Sequence, residues 1–115
     1  MFYKSYQQIR ADLDGQRITV DQIVNHHLAK IANQNSNLNA FLEVFEEEAL
    51  VRAEQIDFKL KQGTAGRLAG LVVGIKDLFC LQDHLVSCSS KFLKILRVRL
   101  QLRPFNAYWM RMPLL

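Results

Sequence analysis

The sequence predicts an α/β fold, and an incomplete one. Three observations carry this. Helix-like and strand-like patterns alternate in the order helix, helix, strand, helix, strand. The later strand-like run, "LVVGI" at Leu71–Ile75, has no polar face, which is the pattern of a strand covered by packing on both sides. A chain of 115 residues with only two or three strands is too short to cover such a sheet, so it reads as the opening of something larger.

The elements follow from local pattern. Residues 3–13 place Tyr6, Ile9 and Leu13 on one side of a short helix that "DG" at Asp14 and Gly15 ends. Thr19 opens a second helix, and Gln22 three residues on completes a capping box. Val20, Ile23, Val24, His27, Leu28 and Ile31 recur at helical spacing, and "NQNSN" at 33–37 is expected to stop the helix. His27 on that apolar face reads as a packed histidine and His26 as a solvated one. "LNAFLEVF", Leu38–Phe45, is rich in aromatic and β-branched residues and reads as a strand. Glu46, Glu47 and Glu48 then sit in the first turn of a third helix, where the helix dipole favours acids. Ala49, Leu50, Ala53, Ile56 and Leu60 face inward on it, and it ends at "KQGTAG".

Composition narrows the function classes. Half the residues are hydrophobic, which excludes a disordered tail. No apolar run approaches the ~20 residues needed to span a bilayer, and the first fifteen residues lack the apolar core of a secretory signal. The expectation is a soluble cytoplasmic chain with no membrane partner. Cys80 and Cys88 lack redox or zinc spacing and are expected to be reduced thiols; with His26, His27 and His84 they offer no metal-ligand pattern. Net charge is +4 but unevenly spread: residues 1–91 hold ten basic and eleven acidic side chains, residues 92–115 five basic and none acidic.

The segment "LAGLVVGIKDLFC", Leu68–Cys80, delivers Lys76 and Asp77 side by side at the end of an apolar run. Lys76 is either a solvated strand-end residue or a lysine placed where chemistry uses it. A lysine acting as a base must be neutral, and a free ammonium with a pKa near ~10.4 is not. Burial and fixed dipoles can lower that value by ~3–5 units. Neighbouring strand residues face opposite ways, so Asp77 can secure local structure while Lys76 faces a cleft.

"LAGLVVGIKD" resembles the lysine segment of the amidase signature family, whose usual form is L-A-G-hydrophobic-P-x-x-hydrophobic-K-D. "LNAFLEVFEEEALVRAEQID" and "SCSSK" at 87–91 are similar to the flanking segments of one branch, the A subunits of the glutamyl-tRNA(Gln)/aspartyl-tRNA(Asn) amidotransferases. The resemblance covers about residues 3–93 and departs at Val72, where proline is common, and at Leu78, where asparagine is common. It implies the N-terminal part of an amidase signature domain, a mixed sheet flanked by helices. It implies Lys76 as the base of a Ser–Ser–Lys triad that activates a serine against the amide of glutamine, forming an acyl-enzyme and releasing ammonia. It further implies partner subunits B and C and a misacylated tRNA bound through them. ATP and magnesium are used by the whole complex, with no cofactor on this chain.

The family's two triad serines lie in a Gly-Ser-Ser-Gly-Gly type loop well beyond the lysine. After Lys76 only 39 residues remain, none of them glycine, and Ser87, Ser89 and Ser90 match the post-lysine segment instead. Taken alone, the chain is expected to be inactive. Residues 94–115 are expected to be a frameshifted, non-native tail. Read one base out of frame, Trp109–Met110 must encode Asp and Met112–Pro113 Ala, and the rest can encode a continuation similar to the family's. Other readings stay open. One is a free-standing amidase acting on small amides. Another is an RNA-binding protein using "LRVRLQLR", Leu96–Arg103, with Phe105, Tyr108 and Trp109. A third is an inert fragment.

Overall fold

A computed structural model of the chain describes residues 5–79, 84 and 86–91. The described residues fall into two compact units divided between Val72 and Val73. Among the described residues the first holds three helices, α1 (Tyr6–Asp14), α2 (Val20–Leu38) and α3 (Glu46–Lys61).

Each helix boundary has an identifiable cause. Ser5 caps α1 by accepting from the Gln8 N–H at 3.4 Å. At the other end, the Gln16 N–H donates to the Leu13 carbonyl and the Arg17 N–H to the Asp12 carbonyl, the paired bonds of a Schellman close. The left-handed residue that this close requires is Gln16 (φ 54°), not the neighbouring Gly15 (φ −80°). α3 ends the same way, with Gly63 (φ 71°) donating to Leu60 and Thr64 to Lys59. The expected capping box at Thr19 and Gln22 is present, with bonds of 3.2 and 3.1 Å.

The two N–H groups that the capping box leaves over, those of Val20 and Asp21, are taken from another helix. The Asp57 carboxylate on α3 accepts them at 2.7 and 3.1 Å. All the first-turn donors of α2 are thereby satisfied.

The core of this unit is Leu13, Val20, Ile23, Val24, Ala53, Ile56 and Ala69. Ala49, Leu50 and Leu60 pack against it as the α3 spacing predicts. His27 is a correction: it is exposed rather than packed. Burial on α2 is confined to its first half, so the apolar stripe runs on past its cover. Partial desolvation, then His26 and Lys30, hold the His27 imidazole below its ordinary value.

The expected stop at 33–37 also moves. α2 continues through Leu38 and closes on Asn39 in the left-handed region (φ 49°), whose N–H reaches the Asn35 carbonyl at 2.7 Å. The Asn35 side chain brackets Phe41, donating to its carbonyl at 2.9 Å and accepting from its N–H at 2.8 Å. The asparagines thus fasten the exit of the helix instead of breaking it. The strand expected over Leu38–Phe45 is a helix end followed by irregular chain with a bend at Leu42. The strand expected over Leu71–Asp77 is likewise irregular, with Val72 and Val73 39% and 41% exposed. No strand occurs among the described residues. A strand requires a paired neighbour, and neither run has one among the described residues.

Candidate functional site

The lead-in to the lysine is built by backbone geometry. At "LAG", Ala69 is 2% exposed, leaving no room for a larger side chain, and Gly70 has φ 86°. A Cβ at Gly70 would overlap Leu13 Cδ1. Position 70 therefore requires glycine for two reasons, backbone conformation and close approach. The turn is closed by Ala69 N–H to Gly66 O at 3.2 Å and Leu71 N–H to Leu68 O at 3.1 Å.

Helix α1 holds this turn by its carbonyls. The Tyr6 hydroxyl lies 2.7 Å from the Ala69 carbonyl and 3.0 Å from that of Arg67, and Arg10 Nη1 donates to Gly66 O at 2.8 Å. Sequence reasoning placed Tyr6 on an apolar face and assigned Arg10 nothing. Their partners lie 56 to 63 positions away, where no local pattern points to them.

In the second unit, the Lys76 carbonyl accepts the Phe79 N–H at 3.1 Å in a tight turn, and its side chain is exposed. Among the described residues the Lys76 ammonium enters no ion pair. Asp77 does the opposite. Its carboxylate accepts the Ser87 N–H at 2.9 Å and the Ser87 hydroxyl, and its own carbonyl accepts the Cys88 N–H at 3.1 Å. Cys88 and Ser89 take left-handed conformations (φ 47° and 62°), and the Ser90 N–H returns to the Ser87 carbonyl at 2.7 Å.

The Ser87 hydroxyl first, then the Ser87 N–H, hold the Asp77 carboxyl below the usual carboxylate range; Ser89 and Cys88 backbone groups add to this, against partial desolvation. Asp77 is thus a tethered carboxylate, and Lys76 beside it an ammonium without an ion pair among the described residues. Cys88 is free and exposed, whereas Cys80 and the whole of residues 92–115, including Leu96–Arg103 and the aromatics after it, lie outside the described residues. Among the described residues no three His, Cys, Asp or Glu side chains gather as a metal site, and no helix is long and apolar enough to cross a membrane.

The three-helix unit ends in a braced L-A-G turn, and the K-D pair follows it in the sequence. The Amidase family model matches residues 22–97, and the chain belongs to that family. Among individual relatives, it is 36% identical over 93 residues to the A subunit of the glutamyl-tRNA(Gln) amidotransferase of Coxiella burnetii, covering 81% of this chain and 19% of that one. The corresponding A subunits of Azoarcus sp. and Rhodopirellula baltica are 37% and 41% identical over 93 and 91 residues, covering 81% and 78% of this chain and 19% and 18% of theirs. The chain spans about a fifth of the length of the curated relatives it matches. Among solved structures it is similar, at a TM-score of 0.78 and 25% identity, to a chain reported with a vestigial protein complex that reveals the origins of an s-triazine catabolic enzyme. That match covers 84% of this chain and 22% of the other.

Proposed function

We propose that this chain is the N-terminal part of the A subunit of a glutamyl-tRNA(Gln) amidotransferase, with Lys76 as the base of its glutaminase site. The observation that carries the reading is the ammonium of Lys76, free of ion pairs among the described residues, beside a carboxylate engaged elsewhere. In the complete domain, covering the lysine would remove it from water and favour the neutral amine. The amine would then accept the nucleophile's proton through the bridging serine. Both serines belong to the part of the family's domain that follows the matched region, so the 115-residue chain by itself is inactive on this reading. Glutamine is its substrate class, partner subunits B and C receive the ammonia and the misacylated tRNA, and the complex works in the cytoplasm with ATP and magnesium.

Residues 94–115 are, on the same reading, out of frame with the family. Sequencing the locus past the stop codon tests this directly. An alternate frame that stays open to a Gly-Ser-Ser-Gly-Gly loop supports it; a third-base pattern that forbids that continuation defeats it and returns the basic tail to consideration as an RNA-binding strand.

The functional test is glutamine hydrolysis by the restored, full-length protein with its partners. Lys76→Ala is expected to lower kcat by at least about a hundredfold, the scale of a lost general base, with the fold retained. Retained glutaminase activity in Lys76→Ala would overturn the assignment. Activity on small amides without the partner subunits would favour a free-standing amidase.

A further inference from the structure

Residues 76 and 77 are anchored through backbone and side chain alike. The Lys76 carbonyl accepts the Phe79 N–H at 3.1 Å, and the Asp77 carbonyl accepts the Cys88 N–H at 3.1 Å. The Asp77 carboxylate accepts twice more, from the Ser87 N–H at 2.9 Å and from the Ser87 hydroxyl, so that each of its oxygens is engaged. The turn that supplies these donors is strained. Cys88 and Ser89 both lie in the left-handed region, at φ 47° and 62°, where a residue with a Cβ crowds its own backbone. Such strain persists where surrounding bonds over-determine it, and it gathers at functional sites. Here the bonds end on the residue that follows Lys76, and the Ser90 N–H closes the turn on the Ser87 carbonyl at 2.7 Å.

We infer that Ser87, acting through Asp77, is a positioning residue for Lys76. The Ser87–Asp77 tether sets the backbone from which the base projects, and it occupies both carboxylate oxygens that would otherwise reach the neighbouring ammonium. The inference rests on the reading of Lys76 as the base. The Lys76 side chain is exposed and enters no ion pair among the described residues, so the fixed point from which it reaches out is its backbone. A four-carbon stem on a loose backbone spreads its ammonium over a wide arc. Misplacing a reacting group by about 1 Å costs on the order of a hundredfold in rate, and a tether at the next residue narrows that arc.

The test has two readouts. On the 115-residue chain, nitrogen-15 relaxation should give the amides of residues 76 and 77 order parameters near ~0.85, falling below ~0.6 in Asp77→Ala and partway in Ser87→Ala. Ser87→Thr, which keeps the hydroxyl, should restore them. The amides of α2 should not change, which marks the effect as local. Unchanged order at residues 76 and 77 in Asp77→Ala overturns the inference outright. In the restored, full-length protein with its partners, Ser87→Ala should lower kcat for glutamine hydrolysis about tenfold with KM unchanged, and Ser87→Thr should recover it. A rise in KM at constant kcat overturns the inference, because the tether would then serve substrate binding. Activity lost in Lys76→Ala but untouched in Ser87→Ala and Asp77→Ala overturns this inference alone and leaves the base assignment standing. Activity retained in Lys76→Ala overturns both, however loose residues 76 and 77 become.

Discussion

Removing the Asp57 carboxylate should unfasten α2 at its start. The Val20 N–H at 2.7 Å and the Asp21 N–H at 3.1 Å both rely on it. Hydrogen bonds to a charged acceptor contribute ~1.5–3 kcal/mol each, and a buried donor left without a partner costs ~1–3 kcal/mol. Val20 is fully buried, whereas the part-exposed Asp21 amide can return to water, so only the first bond counts in full. Interaction with the helix dipole adds a few tenths, ~0.3–1 kcal/mol. Asp57→Ala should therefore cost about 2 kcal/mol. Asp57→Asn keeps a neutral acceptor for Val20 and should lose about half of that. The assay is native-state amide exchange on the 115-residue chain with urea unfolding alongside. A loss of 2 kcal/mol speeds exchange of the first-turn amides of α2 about thirtyfold. If Asp57→Ala changes stability by less than about 0.5 kcal/mol, or if Asn is as damaging as Ala, then the carboxylate is not what satisfies this helix end.

Three further outcomes are expected. Gln16→Gly should stabilise the first unit by roughly 0.5–1 kcal/mol in thermal unfolding, because glycine adopts the left-handed close of α1 without the Cβ penalty that Gln16 bears. Gly70→Ala should destabilise it by about 2–4 kcal/mol, summing left-handed strain with the forced displacement of Leu13; a change near zero would contradict the tight approach. The tether at Asp77 should depend on pH with a definite sign. Its folded carboxyl titrates below the unfolded one, near 3.8, so the stabilisation is complete above that value and is lost as pH falls through the lower folded value. Protection of the Ser87 and Cys88 amides should accordingly hold from neutrality to about pH 4 and collapse below. In Asp77→Asn the collapse should vanish, and an unchanged acid limb in that variant would show that another group controls it.

What was legible in the residues was local. Thr19 and Gln22 three apart announce a capping box wherever the fold places them, and Glu46–Glu48 before a 3.6-residue stripe announce a helix start. Asp77 was expected to secure local structure, and its carboxylate holds Ser87, although the strand alternation that suggested this is absent. The misses share a cause. Asn33–Asn37 carry a helix-breaking composition, but Asn35 used its amide to hold Phe41, so a breaker became a fastener. "LVVGI" has the composition of a covered strand, and composition reports the surroundings a segment is suited to rather than those it has here. Asp57, Tyr6 and Arg10 act across 36 to 63 residues, a distance over which periodicity carries no information.

Tyr6 and Ala69 meet although 63 positions separate them. That contact makes the first unit a ring, with its entrance and its exit side by side. A module whose two ends lie together can be lifted out or grafted by two cuts at one spot, leaving its interior undisturbed. Residues 5–72 are thus a natural cassette for exchange between relatives, and a graft that omits Tyr6 opens the ring at the point where it hands the chain on to the lysine.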